Sequence, residues 1–383
     1  METKKYLICN IVCDEKFIDG AIECLDFYSE KWTNKWIICN LKGRKLNFIK
    51  RHSDRVQNVD ENKVINFLID NKFDAVILHS FGVISPAVIA NIPLGIKVFW
   101  FGWGYDIYNY PKQRPFLKWN LYKPLTAKYL RSSLYKKGRS LASKLLFTLK
   151  GNGRVYKRAL NRVDYFAGII EFEYDLLKSN PNFRAQKVSF AYSSSLGVTS
   201  YENFEKYDGQ NILIGNSAAD TNNHLDLLEH LKLLDISNRK IILPLSYAGA
   251  EKYVSDVVNA YKSFFGDSVI ALTSFMPFEQ YKKYILSCNV AIFFMERQQA
   301  MGNINSALKF GCKVYLSNKN PVYEYYKGLG FSVYSVEKEL SNEHISIELT
   351  DAEIDNNRFL LKNRNEYKSY LNKLETIYQA IKN

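Results

Sequence analysis

Three segments concentrate residues able to do chemistry. In the first, Gly215-Asn216-Ser217 is followed by Asn222-Asn223-His224, just before a helix-length run. A glycine there permits close backbone approach. The polar side chains lie beside a helix start, where an anion is favoured. Capping of that helix by Thr221 or Asn222 is the plain alternative. In the second, Glu296-Arg297-Gln298-Gln299 precedes Gly302 and Asn303 at the start of another helical run. Arg297 supplies a fork for phosphate or carboxylate oxygens. Tyr247, Ser274 and Phe275 end two neighbouring strand-like runs, and either ring can stack on a base or close over a ligand. A phosphorylated ligand suits this set.

The third segment lies in the first half. Phe99-Trp100-Phe101-Gly102-Trp103-Gly104-Tyr105-Asp106 interleaves glycines with large rings. Gly102 and Gly104 allow backbone near a ligand, and Trp103 and Tyr105 offer aromatic walls that suit a sugar ring. Asp106 is expected at the rim of a cleft, as general base for a hydroxyl. Glu171 and Glu173 follow another strand-like run, and either can replace Asp106. His79, at the end of a further run, is a second candidate for this pocket. The catalytic set is therefore expected among Asp106, Glu173 and Arg297. No Asp-x-Asp clamp and no Cys/His cluster with zinc spacing occurs, so neither a metal nor a cofactor is expected. The nicotinamide fingerprint and the P-loop are absent too, which disfavours a dehydrogenase or an ATPase.

Short apolar runs must position these loops. Candidate strands are Tyr6–Val12, Trp36–Leu41, Ala75–Leu78, Lys97–Phe101 and Tyr165–Ile169, then Asn211–Ile214, Lys240–Pro244, Val269–Leu272, Val290–Met295 and Lys313–Leu316. Most lack polar alternation, as expected of parallel strands covered on both faces. Helix-length segments between them, such as Glu15–Lys31 and Thr221–Leu234, predict an α/β fold of two doubly wound, Rossmann-like domains facing a central cleft. The expected division is 1–195, carrying a basic helical insertion over 112–162, then 196–350, then C-terminal helices over 351–383 that can pack back on the first domain.

The 383 residues and 47% apolar content describe an ordinary globular chain. The charge does not. Fifteen Lys and Arg and no Asp or Glu lie between Lys112 and Arg162, more than the whole net charge of +13. Such a block implies an anionic partner. An anionic membrane surface is the expectation, with Phe116, Trp119, Tyr122 and Tyr129 as interfacial anchors. Single-strand nucleic-acid binding is the competing reading, and the absence of a nucleic-acid motif argues against it. No run reads as transmembrane or as a signal peptide, and the six cysteines read as buried free thiols. Together these features predict a cytoplasmic, peripheral protein.

Gly215-Asn216-Ser217, Asn222-Asn223-His224, Arg297-Gln298-Gln299 with Gly302, and Trp-Gly-x-Asp at Trp103–Asp106 together resemble the 4-acetamido-4,6-dideoxygalactosyltransferase (Fuc4NAc transferase) family. The resemblance implies a two-domain GT-B glycosyltransferase with the nucleotide-sugar donor in the C-terminal domain and the acceptor in the N-terminal one. It also implies transfer of Fuc4NAc from a TDP-sugar to a polyprenyl-diphosphate-linked glycan, in the assembly of a bacterial surface polysaccharide such as enterobacterial common antigen. Another nucleotide sugar, serving O-antigen or capsule, is the nearest alternative; a sugar-binding sensor without catalysis is a further one.

Overall fold

A computed structural model describes residues 4–39, 41, 43–108, 120–132, 152–189, 205–364 and 367–383. They divide into two units: those up to 108 with 152–189 and 367–383, and 120–132 with 205–364.

Among the described residues of the first unit, seven parallel strands form one sheet: β1 (Tyr6–Val12), β2 (Trp32–Ile38), β3 (Val56–Asn58), β4 (Ala75–Leu78), β5 (Lys97–Phe101), β6 (Tyr165–Ala167) and β7 (Gln186–Lys187). Their order is β3-β2-β1-β4-β5-β6-β7, so the winding reverses between β1 and β4. Ile8, Ile77, Phe99 and Phe101 share a core with Tyr370, Leu374 and Ile377 of the C-terminal helix Tyr367–Lys382. Strand β2 begins four residues before the predicted Trp36. Trp32 is fully buried and its indole N–H donates to Leu25 O at 2.7 Å, ending one element and opening the next. The preceding helix is accordingly short, Ile18–Asp26. The edge strands β3 and β7 were not predicted, because Val56-Gln57-Asn58 and Gln186-Lys187 contain no apolar run.

The second unit holds β8 (Asn211–Ile214), β9 (Ile241–Pro244), β10 (Val269–Leu272), β11 (Cys288–Phe293), β12 (Lys313–Leu316) and β13 (Val333–Ser335). The order is β10-β9-β8-β11-β12-β13, all parallel among the described residues, and the reversal falls between β8 and β11. Both sheets are doubly wound. Ligands of such sheets bind beyond the carboxyl ends of the strands that flank the reversal.

One division differs from the sequence expectation. The described part of the basic block is split. Residues 120–132 belong to the second unit, where the helix Pro124–Ser132 packs on the helix His224–Leu231. Asp226 fixes that contact by accepting from Leu125 N (2.8 Å), Thr126 N (2.8 Å) and Thr126 Oγ1 (2.6 Å). The helix Asn152–Arg162 belongs to the first unit. There Arg162 is buried and donates to the carbonyls of Ile92, Pro93 and Ile96 and to Asp164. Phe116 and Trp119 lie outside the described residues. Among the described residues no helix is long and apolar enough to cross a membrane, and all six cysteines are free thiols, five of them buried.

Candidate functional site

The reversal point of the second sheet carries two of the three predicted segments. Gly215-Asn216-Ser217 follows β8 and Glu296-Arg297-Gln298-Gln299 follows β11. A chain of side-chain hydrogen bonds joins them. Thr221 Oγ1 donates to Gln299 Oε1 at 2.8 Å, Gln299 Nε2 to Asn216 Oδ1 at 3.0 Å, and Asn216 Nδ2 to Tyr247 Oη at 3.2 Å. The loop after β9, which bears Tyr247, is also zipped on by Ala218 N donating to Tyr247 O at 2.9 Å. Gly249 makes this possible, since a Cβ there would sit 2.4 Å from the Ala218 Cβ. Three strand-end loops thus form one preorganised rim.

Ala300 takes a left-handed conformation (φ +62°) and turns the chain into the helix Met301–Lys309. The first backbone N–H groups of a helix have no partner within it. Gly302 is exposed with open space above its Cα, and Asn303 is half-buried beside it. Arg297 is nearly buried and donates to Gln298 O at 3.1 Å; Gln298 is buried as well. Tyr122 lies within the electrostatic reach of Arg297 and donates to Asp220 at 3.4 Å. Burial, with Asp220 adding to it, pushes the Tyr122 phenol up to about 12, so it stays a neutral donor. Oriented N–H groups, a guanidinium and amides around an open first turn can hold a diphosphate and stabilise charge growing on it.

Beneath this rim lies a buried ionic cluster that sequence reading did not foresee. Lys123 Nζ is 3.0 Å from Glu296 Oε1, 2.8 Å from Glu337 Oε1 and 4.0 Å from the centroid of the Phe294 ring. Glu337 also accepts from Ser317 Oγ and from Asn318 N, both at 2.8 Å. Lys123 was hidden in sequence as one of fifteen cations, and nothing in its local pattern distinguishes it.

Several residues expected to meet the donor build the loop instead. Asn222 Nδ2 donates to Ser217 O, Ser217 Oγ and Ala219 O, and its Oδ1 accepts from Asn216 N. Asn223, at φ +53° and fully buried, donates to Leu121 O, Thr221 O and Phe294 O and accepts from Lys123 N. Gly215 (φ +66°) is needed because a Cβ would lie 2.6 Å from Asn222 Oδ1, a packing reason rather than ligand approach. Ser217 is buried, its hydroxyl accepting from Ala219 N at 3.4 Å. His224 is fully buried with Nδ1 3.3 Å from Tyr253 Oη, and burial lowers it to about 4, so it offers no positive charge. Ser274 and Phe275 follow β10, the outer strand, two places from β8, and Phe275 is 71% exposed.

In the first unit the third segment follows β5. Asp106 is not at a rim. It is buried, with Oδ2 accepting from Phe81 N (2.9 Å) and the Trp100 indole (2.7 Å), and Oδ1 from Trp103 N (2.8 Å). Burial outweighs these bonds and raises its pKa. Asp106 fastens the loops after β4 and β5 together and presents no oxygen to a substrate. Glu173 is likewise fully buried, its Oε2 accepting from Ile169 N at 2.8 Å and Ile170 N at 3.3 Å; it closes the first turn of its own helix. Glu171 is exposed and paired with Lys187. His79 is fully buried, 3.0 Å from Asn10 Oδ1, and held neutral by burial at about 3. Gly102 is glycine because a Cβ would lie 2.8 Å from Ile107 Cδ1 and 2.9 Å from Phe166 Cε2. Gly104 (φ +76°) makes the turn into the helix Tyr105–Tyr108. Trp103 and Tyr105 are half-buried: Trp103 stacks on Phe17 with centroids 3.6 Å apart, and Tyr105 Oη lies 3.8 Å from Cys13 Sγ.

Solved glycosyltransferases share this architecture. A glycosyltransferase from Rickettsia africae ESF-5 is 13% identical and superposes with a TM-score of 0.63, covering 99% of each chain. The lipopolysaccharide outer core galactosyltransferase WaaB, in its apo form, is 11% identical with a TM-score of 0.60, covering 98% of this chain and all of the other. HepE from Anabaena, solved with UDP and glucose, is 10% identical with a TM-score of 0.54, covering 99% of this chain and 94% of that one. At such identities the likeness establishes the fold, which is GT-B. Residues 128–377, well over half of the chain, match the family described as 4-alpha-L-fucosyltransferase, glycosyl transferase group 56, and the chain belongs to that family of glycosyltransferases.

Proposed function

We propose that this glycosyltransferase moves a 4-amino-4,6-dideoxy sugar of the Fuc4NAc type from a TDP-sugar to a polyprenyl-diphosphate-linked glycan during assembly of a bacterial surface polysaccharide. One observation carries the donor half of this reading: the interlocked rim at the β8–β11 reversal, with Arg297 and the open first turn at Gly302. The donor's diphosphate sits on the N–H groups around Gly302 and Asn303. Arg297 takes up the charge that grows on it as the glycosidic bond breaks. Asn216, Gln299 and Tyr247 face the rest of the nucleotide sugar, and the acceptor falls to the first unit, whose Trp103 and Tyr105 rings suit a sugar. No metal ion is invoked, so chelation by EDTA leaves the rate unchanged.

The acceptor half rests on the resemblance of the motifs to Fuc4NAc transferases and on charge. Lys128 and Arg131 are exposed on one unit, and Arg154, Lys157 and Arg158 on the other. Cations near an anionic bilayer contribute roughly 1 kcal/mol each, which supports peripheral attachment to the cytoplasmic face of the plasma membrane. Lys123 and Arg162 are excluded by burial. Tyr122 and Tyr129 are turned into the second unit, Tyr129 Oη lying 2.5 Å from Asp256 Oδ2, and are not lipid anchors.

The test is a nucleotide thermal-shift series followed by a transfer assay. Stabilisation by TDP above UDP and GDP, and TDP release that depends on a polyprenyl-diphosphate acceptor, is the expected result. Preference for UDP favours the second reading, a UDP-sugar transferase, for which HepE bound to UDP-glucose is the precedent in this fold.

A further inference from the structure

Transfer to a hydroxyl needs a group that removes its proton, and the two carboxylates expected to do so, Asp106 and Glu173, are sealed among backbone donors. The reversal point of the first sheet lies between β1 and β4, and β1 runs directly into Cys13-Asp14-Glu15. Asp14 is occupied: its oxygens accept from Asn47, Phe48 and Ile49 N–H groups at 2.5, 2.9 and 3.0 Å. Asp19 does the same for Lys50, Arg51 and His52 at 2.9, 3.2 and 3.1 Å. These two acids shape the loop over 47–52. Glu15 is different. It is half-buried, its carbonyl starts the next helix by accepting from Ile18 N at 3.1 Å, and its carboxylate is held by the backbone N–H of its own neighbour Lys16 rather than by three donors of a distant loop. Close by in sequence, the stacked pair of Phe17 and Trp103 and the contact of Cys13 with Tyr105 join this loop to the one after β5.

We propose that Glu15 is the general base of the transfer reaction. Its carboxylate accepts the proton of the acceptor hydroxyl as that oxygen bonds to the anomeric carbon of the donor sugar. The bond from that carbon to the diphosphate oxygen breaks, its electron pair leaving with the nucleoside diphosphate. The inference rests on the reading of the protein as a nucleotide-sugar transferase. Partial burial raises the Glu15 carboxyl above its ordinary value, against Lys16, which lowers it, and with Asp14, which adds to the rise. Cys13 at the end of β1, and Tyr105 and Asp106 on the element beside it, are the other titratable groups around the loop; burial raises all three, so each stays protonated more readily than usual. A carboxylate moved upward is a better-matched base near neutral pH.

The experiment compares wild type, Glu15→Gln and Glu15→Asp by steady-state transfer kinetics across pH, with nucleotide-induced thermal shifts as a binding control. The expected result for Glu15→Gln is a fall in kcat of about 10²–10⁴-fold. Its thermal shift with nucleotide is unchanged and the acid limb of its kcat profile is lost, while Glu15→Asp recovers part of the rate and keeps the limb. Active wild type alongside Glu15→Gln within about threefold in kcat, acid limb intact, overturns the role of Glu15 alone. A wild-type protein that binds no nucleotide and transfers no sugar overturns the transferase chemistry, and the role of Glu15 with it.

Discussion

Lys123 Nζ lies 3.0 Å from Glu296 Oε1, and this buried pair ties the start of the helix Pro124–Ser132 to the residue immediately before Arg297. Glu337, at the entry to a short helix after β13, completes the cluster from the other side at 2.8 Å. The cation neutralises two carboxylates that otherwise repel each other directly beneath a site suited to an anion. Its position on 120–132 explains why that stretch belongs to the second unit although it precedes β6 in sequence.

Replacing Lys123 by Met should destabilise the second unit by about 3–5 kcal/mol, because it leaves the buried Glu296 and the half-buried Glu337 without their counter-charge. Urea unfolding followed by intrinsic fluorescence measures this. Adding Glu296→Gln and Glu337→Gln to the Met variant should restore part of the loss, since the repelling charges are then gone. A Lys123→Met protein as stable as wild type contradicts the cluster's role.

Arg297→Ala should lower kcat/KM by about 10²–10³-fold, the range seen when a donor to developing charge is removed. Gln299→Ala interrupts the chain from Thr221 to Tyr247 without removing charge. Its loss should be smaller and fall mainly on KM for the donor. Steady-state kinetics with varied donor separates the two. Equal effects on kcat from both variants argue against a special charge role for Arg297.

The parallel strands were legible because runs such as Ala75–Leu78 and the Val290–Phe293 part of the expected Val290–Met295 are apolar on both faces; the latter strand starts two residues earlier, at Cys288, and ends at Phe293. The roles inside the loops were not legible. Asn222, Asn223 and His224 have the composition of a ligand site, yet Asn216 and Gln299 are the ones on the rim, and only the direction of each amide separates them. Asp106 shows the same limit. A carboxylate after a strand reads as a base, and three donors from Phe81, Trp100 and Trp103 make it an anchor. Long-range pairs such as Lys123 with Glu296, distant in sequence, leave no periodic trace.

Asp106→Asn tests the anchor directly. Both carboxylate oxygens accept hydrogen bonds from donors, so one end of the Asn amide must present N–H to N–H. A buried donor left unsatisfied costs about 1–3 kcal/mol. The first unit should lose stability on that scale, measured by thermal unfolding, while folded protein at low temperature keeps most of its kcat. A variant of wild-type stability with abolished turnover would return Asp106 to the catalytic set.

His79 sets a pH dependence whose sign follows from its burial. Asn10 Nδ2 donates to Asn34 Oδ1, so Asn10 Oδ1 is left to accept from His79 Nε2–H, and full burial keeps the ring neutral. Burial lowers His79 from 6.5 to about 3, and His224 in the other unit to about 4. Each folded-state pKa lies below its unfolded value, so below pH 6.5 the unfolded chain takes up protons that the folded chain refuses. The stabilising contribution is complete above pH 6.5 and is lost as pH falls from there toward 3 or 4. Each such histidine removes at most about 1.4 kcal/mol per pH unit. Between pH 6.5 and 5 unperturbed carboxylates stay ionised, while the raised Asp106 and Glu15 carboxyls oppose the histidine slope, so the histidine term is read from the difference between wild-type and His79→Gln urea midpoints across that window. His230 and His344 are shifted downward as well and add to the slope. His79→Gln, which keeps a donor for Asn10 without a titrating ring, should flatten the loss of stability in the first unit while leaving that of the second. A His79→Gln protein whose first unit loses as much stability between pH 7 and pH 5 as wild type contradicts the neutral, buried imidazole.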